Sequence, residues 1–225
     1  MGHFPSDMFL DAHFAFHCSS LLWRFSPDEA LWLRWSPGYL IGASWLLFAA
    51  YWFVTALGAK APAKAERASE RVGHIILMVV GFVLLRYPAP NSLNGLNHRF
   101  VPDLRWISWL GAYLTFAGVM FAIWARRTIG KEWSAAVQIK EDHQLIRSGP
   151  YARIRHPIYT GILLALAGTA LAIGEYRALL GLAVIAVGFI QKAKKEESFL
   201  AAQFGAAFAE HCLRTGFFLP RLTGN

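Results

Sequence analysis

The sequence predicts an all-α integral membrane protein with about five transmembrane helices, the last two forming a tight helical hairpin, plus a polar loop and a C-terminal helical tail. Two observations carry this. Of 225 residues, 56% are hydrophobic and only 16% charged, against about 25% charged in a soluble domain. The apolar residues also arrive in long runs, which only lipid or a very large core can accept.

The 22 basic residues outnumber the 14 acidic ones, giving a formal charge of +8. In a soluble chain such an excess would suggest nucleic acid. Here the cations sit between apolar runs, where they set orientation instead, so no nucleic-acid partner is expected. Two cysteines, Cys18 and Cys212, are too few for a disulfide scaffold or a thiolate metal site, and both read as inert.

Residues 1–36 form an N-terminal interfacial segment. No positive cluster precedes its apolar stretch, so it does not read as a signal peptide. Ser6 and Asp7 are positioned to cap a short helix, and Phe9, Leu10, His13, Phe14, His17 and Leu21 follow at helical spacing, as in an amphipathic helix lying in the membrane interface.

Residues 37–125 hold three spans. Pro37 to Ala59 is 23 residues without a charge, enough at about 1.5 Å per residue to cross about 30 Å of hydrocarbon. Val72 to Tyr87 is the second, closed by Pro88 and Pro90, with Arg86 able to snorkel. Trp106 to Ala125 is the third, with Trp106, Trp109 and Trp124 as interfacial aromatics near its ends.

Residues 126–225 hold the polar loop Arg126 to His156, the hairpin Pro157–Ile173 and Ala178–Ile190, and the tail from Gln191. Gly161 and Gly168 on one arm, and Gly181 and Gly188 on the other, recur at seven residues, a spacing that lets two helix backbones approach closely. Five crossings would put most basic residues on the side of the polar loop and the tail. The positive-inside rule then places the C-terminus and any site formed there in the cytoplasm, with Cys18 and Cys212 on opposite faces.

The chemistry is expected where loop, hairpin and tail meet. Pro157 suits the first turn of a helix, leaving the free N–H groups and positive dipole end beside His156, an arrangement that attracts carboxylate or phosphate. The tail continues the fifth helix with Lys192, Lys194, Lys195, Glu196 and Glu197, which hairpin geometry would bring next to Arg155 and His156. Opposed charges there suit a zwitterion. His74 and His98 lack ligand partners at metal spacing and read as structural, so no metal is expected. Neither GxGxxG, a P-loop nor GxSxG is present.

Three stretches carry a resemblance: Gln138-Ile-Lys-Glu-Asp-His143-Gln-Leu-Ile146 through Gly149-Pro150-Tyr151; Arg155-His156-Pro157-Ile158-Tyr159-Thr-Gly161; and Glu196-Glu197 with Phe204-Gly205. Over about the last hundred residues the chain resembles the isoprenylcysteine carboxyl methyltransferase family, with related phospholipid N-methyltransferases sharing much of the architecture. The resemblance implies a multi-pass membrane enzyme that uses S-adenosylmethionine without a Rossmann domain and methylates a lipophilic or prenylated acceptor. It implies cofactor contacts from Gln138, His143, Gln144, Leu145, Ile146, Gly149, Pro150, Tyr151, Arg155, His156, Pro157, Ile158, Tyr159 and Glu196. Catalytic roles fall on His156, Tyr159, Glu196 and Glu197. Leu145, Ile146 and Tyr151 would wall an adenine pocket, the His156-Pro157 helix end would receive the cofactor's carboxylate, and Glu196 would pair with its ammonium. Where eukaryotic members place a substrate-contacting arginine, this chain has Lys192, which keeps the charge and loses bidentate carboxylate recognition.

The acceptor stays open between a carboxylate, which needs no general base, and a lipid amine, which would need one from Glu197 or His156. A gap between the hairpin and the third span, beside Gly161, would admit the acceptor from the lipid. A non-catalytic scaffold or transporter is the reading from another class. No charged residue lies in the middle of a span, which counts against transport.

Overall fold

A computed structural model describes residues 36–56, 68–130 and 145–221, and the side chains of 68–71 are not included. The N-terminal interfacial segment, with its Ser6 and Asp7 cap and Cys18, lies outside the described residues, as do Gln138, His143 and Gln144. The described chain is helical, with isolated bridges in place of strands. Its helices are α1 (Pro37–Ala56), α2 (Ala68–Arg86), α3 (Arg105–Ile129), α4 (Pro157–Ile173), α5 (Tyr176–Phe204) and α6 (Ala206–Arg214), with 3₁₀ turns at Asn91–Asn97 and Gly149–Ala152.

Three of these helices, α1, α3 and α5, are long and apolar enough to cross a membrane. The segment Val72–Arg86 with Asn91–Asn97 joins them only as a pair bent by 77°, and α4 is apolar but shorter. Leu46 and Phe53 on α1 are about 70% exposed, a surface that lipid rather than water must cover. The protein is an integral membrane protein.

The expected hairpin packs differently from its sequence reading. The main partner of α4 is α3, not α5: Gly161 and Gly168 lie against Gly118 and Gly111. A Cβ on Gly161 would come 2.7 Å from the Gly118 carbonyl oxygen, and one on Gly168 would come 2.5 Å from that of Gly111. Gly181 similarly meets α2, where its Cβ would lie 2.7 Å from the Gly81 carbonyl oxygen. Apolar side chains gain little by leaving lipid for a helix neighbour, so close backbone contact through small residues is what holds such a bundle. The expected gap beside Gly161 is therefore closed, because the α3 backbone fills that space.

Polar groups inside the seam are bonded. Thr115 Oγ1 reaches Ala165 O at 3.2 Å and Thr169 Oγ1 at 3.2 Å, and Trp45 Nε1 of α1 donates to Thr169 Oγ1 at 3.0 Å. At the far end α4 stops at Gly174, whose φ of 73° only glycine adopts without strain. The adjacent Arg177, 8% exposed, donates to the α2 terminal carbonyls of Leu84 (3.0 Å), Leu85 (3.0 Å) and Tyr87 (3.1 Å), while Glu175 pairs with its Nε at 2.5 Å. One guanidinium thus caps a helix end that would otherwise leave carbonyls unsatisfied.

Candidate active site

Pro157 starts α4 without a backbone donor to waste, and His156 is the residue before its first turn. On the other side, α5 does not stop where its apolar stretch ends. Lys and Glu are good helix formers, so the helix continues through Lys192 to Glu197 and delivers its acidic pair to the start of α4.

The His156 side chain is 5% exposed and sits between the two carboxylates: Nδ1 is 3.5 Å from Glu196 Oε2 and Nε2 is 3.1 Å from Glu197 Oε1. An imidazole with both nitrogens facing acceptors must be protonated to satisfy both. Burial alone pulls the His156 pKa down, but hydrogen bonds and charges from Glu196 and Glu197 outweigh it and hold the pKa above the ordinary histidine value. Tyr159, one turn on, donates its hydroxyl to Glu196 Oε1 at 2.5 Å. Its ring stacks on His156 at 5.8 Å and on Phe189 at 4.8 Å. Lys192 Nζ lies over that ring, 5.9 Å from its centroid.

Beside this charged cluster is an apolar one. Tyr151 and Ile158 pack with Ala125, and Ile146 joins them. Leu145 is half-buried and Pro157 buried. Gly149 and Pro150 lead the chain into Tyr151 through the 3₁₀ turn. Burial pushes the Tyr151 hydroxyl pKa up, and the Glu196 charge adds to this, so that phenol stays neutral.

Arg155 meets the acidic pair, as the sequence predicts. Its guanidinium is engaged within the protein: Nε donates to Glu197 Oε1 at 2.6 Å, and Nη1 to Thr215 O at 2.6 Å and Cys212 O at 3.4 Å. Through these bonds the side chain holds Glu197 in place. The thiol of Cys212 is free, and burial raises its pKa.

Sequence reasoning missed Phe189, Phe217 and Phe218, which border the cluster, and gave no role to Thr160 within its motif. Phe189 ends the apolar stretch of α5 and reads as lipid-facing by composition. The pair Phe217-Phe218 follows α6 with no periodic pattern to signal that it turns inward.

Residues 110–202 match the Isoprenylcysteine carboxyl methyltransferase (ICMT) family. Among similar proteins, the cobalt-zinc-cadmium resistance protein CzcN of Cupriavidus metallidurans is 35% identical over 54% of this chain and 54% of its own. Protein-S-isoprenylcysteine O-methyltransferase B of Arabidopsis thaliana is 28% identical over 54% of this chain and 64% of its own. The chain thus spans little more than half the length of these relatives. A solved structure of the eukaryotic intramembrane Ras methyltransferase ICMT aligns with a TM-score of 0.47 at 22% identity, covering 69% of this chain and 53% of that one. Residues Arg155 to Tyr159, Lys192, Glu196 and Glu197 all fall inside the matched segment. That segment, which runs from α3 into α5, carries the chain's likeness to the isoprenylcysteine carboxyl methyltransferase family.

Proposed function

We propose that this protein is an S-adenosylmethionine-dependent methyltransferase that esterifies the carboxylate of a lipid-borne acceptor of the isoprenylcysteine type. The observation that carries the reading is the His156–Glu196–Glu197–Tyr159 cluster where the start of α4 meets the polar stretch of α5, inside the family-matched segment. Similarity to an enzyme named for isoprenylcysteine O-methylation supports the acceptor class.

The residues present fit the cofactor's chemistry. A cationic sulfur and ammonium need carboxylate and aromatic neighbours, which Glu196 and the stacked rings of Tyr159 and Phe189 provide. A carboxylate needs N–H donors, and the first turn of α4 leaves those of Ile158 and Tyr159 without intrahelical acceptors. An adenine needs an apolar wall, which Ile146, Tyr151 and Ile158 form. In this reading Gln138, His143, Gln144, Leu145, Gly149 and Pro150 complete the cofactor site.

When bound, S-adenosylmethionine supplies an electrophilic methyl group on a positively charged sulfur. The chain's own task is then to align the partners and keep water out. Tyr159 holds the Glu196 carboxylate in one orientation, and Arg155 does the same for Glu197. Lys192 offers a cation for the acceptor carboxylate. His156, with both ring nitrogens facing carboxylates, is not available to take a proton, so an amine acceptor would have to rely on Glu197, whereas a carboxylate acceptor needs no base.

The reading extends to topology. Five helices enter the bilayer, residues 126–225 form the methyltransferase core, residues 37–125 carry its first three helices, and 1–36 lies in the interface. Basic residues at the end of α3 and in the polar stretch of α5 support a cytoplasmic site. The test is transfer of a labelled methyl group from S-adenosylmethionine to a prenylcysteine analogue and to native lipid, followed by alkaline hydrolysis. Label released as methanol is the expected result. Label that stays on the lipid through base would overturn the carboxylate assignment in favour of an amine or sulfur acceptor.

A further inference from the structure

The segment Thr215–Phe218 lies beyond the family-matched residues and outside every motif read from the sequence, yet it lines the remaining side of His156. After α6 the chain turns back along residues 153–160, and Ile154 forms a parallel bridge with Gly216. Gly216 N donates to Arg153 O at 3.0 Å, Arg155 N to Gly216 O at 2.9 Å, and His156 N to Phe217 O at 3.2 Å. Thr160 Oγ1 donates to Phe218 O at 2.6 Å.

The side chains follow the backbone. The Phe217 ring meets the His156 ring edge-on at 5.0 Å and 64°, and Phe218 does so at 6.1 Å and 80°. Arg155 lies over Phe217 at 5.6 Å. Its guanidinium joins the Thr215 carbonyl to the Glu197 carboxylate that faces His156 Nε2. An imidazole tilted about its Cβ–Cγ bond would swing both nitrogens out of line with the two carboxylates. Tyr159 covers only one ring face, so the edges must be fixed by something else.

We propose that the Thr215–Phe218 strap, clasped through Arg155, is a positioning element. Phe217 and Phe218 hold the His156 ring in the one orientation in which Nδ1 faces Glu196 and Nε2 faces Glu197. The charged and titratable groups around that ring are Glu196 and Glu197 from α5, Tyr159 on α4 and Arg155 on its own segment. Lys192 stands on the Tyr159 ring, and His211 and Cys212 of α6 interact with Arg155. The strap acts through His156, and it rests on the methyltransferase reading only for the cofactor measurement below.

The experiment uses the full chain in detergent with ¹⁵N-labelled histidine. The His156 ring signals are titrated in the absence of cofactor, and S-adenosylhomocysteine affinity is measured by calorimetry. Phe217→Leu should move the His156 midpoint down toward the ordinary histidine value and weaken S-adenosylhomocysteine binding by about tenfold or more, while Phe217→Tyr should keep both near wild type. Thr160→Val, which leaves every ring in place and removes the Phe218 anchor, should shift the midpoint in the same direction by less. A midpoint unmoved or raised in both Phe217→Leu and Thr160→Val, with helix content intact, would overturn the proposal. Failure of the wild-type chain to bind S-adenosylhomocysteine would instead count against the methyltransferase reading, because the titration is read without cofactor.

Discussion

The Tyr159 hydroxyl donates to Glu196 Oε1 at 2.5 Å, joining the first turn of α4 to the polar end of α5 across 37 residues. With the Tyr159–Phe189 stack and the His156 ion pairs, this bond ties the two elements that carry the candidate site. Tyr159→Phe keeps the ring stack and loses only this bond. It should lower methyl transfer while circular dichroism stays unchanged, and an active Tyr159→Phe protein would show that the bond is dispensable.

In the proposed site, Glu196→Gln and His156→Ala would remove the charges offered to the cofactor. Each should weaken its binding by about 1.5–3 kcal/mol, the usual value of a hydrogen bond to a charged group. Calorimetry on the two variants checks this, and unaltered affinity in both would remove Glu196 and His156 from the cofactor site.

His156 also links stability to pH. Its folded pKa lies above the unfolded value of about 6.5. The stabilisation it contributes is therefore complete below about pH 6.5 and is lost as pH rises through the folded pKa. Thermal unfolding in detergent from acid to mildly alkaline pH should show the wild type losing its advantage over His156→Gln with rising pH. A difference that is constant or grows with pH would contradict the imidazolium assignment.

The α3–α4 seam predicts a contrast between glycines. Gly118→Leu drives a side chain into the α4 backbone and should cost more than about 3 kcal/mol, since overpacking of ordinary cores already costs 1–3. A Cβ on Gly42 of α1 meets nothing within 4 Å, so Gly42→Ala should be tolerated. Melting temperatures of the two variants make the comparison.

Arg177→Met leaves the last carbonyls of α2 without their donor and Glu175 without its cation. Destabilisation of about 1.5–3 kcal/mol is expected, read as a lower denaturant midpoint, with Arg177→Lys recovering only part of it.

Helix positions were largely legible, and helix partners were not. The span Pro157–Ile173 is the same in sequence and structure because a proline opens it and a glycine closes it. Seven-residue glycine spacing announces close approach but names no neighbour. Gly111 and Gly118 on α3 carry the same spacing as Gly161 and Gly168, and they are the ones that fit. The meeting of Arg155 and His156 with Glu197 was legible because Lys and Glu let α5 continue unbroken. What Arg155 does there was hidden, since its acceptors are main-chain oxygens of Cys212 and Thr215, which any residue supplies. Phe217 escaped notice for a related reason: its approach to His156 spans 61 positions and is made by backbone pairing that leaves no side-chain signature.

The unbroken course of α5 has a consequence for the bilayer. Arg177 at one end and Glu197 at the other belong to a single rod, and about 20 residues at 1.5 Å each separate them by about 30 Å, the thickness of a typical hydrocarbon core. On the proposed topology the rod would work as a depth gauge: with the Arg177 cap of α2 level with the far interface, membrane thickness would decide how far the carboxylates stand from the near one. Reconstitution in a series of lipids of increasing chain length should therefore yield turnover with an optimum, because bilayers that are too thick or too thin force the helix to tilt and carry the acidic pair with it.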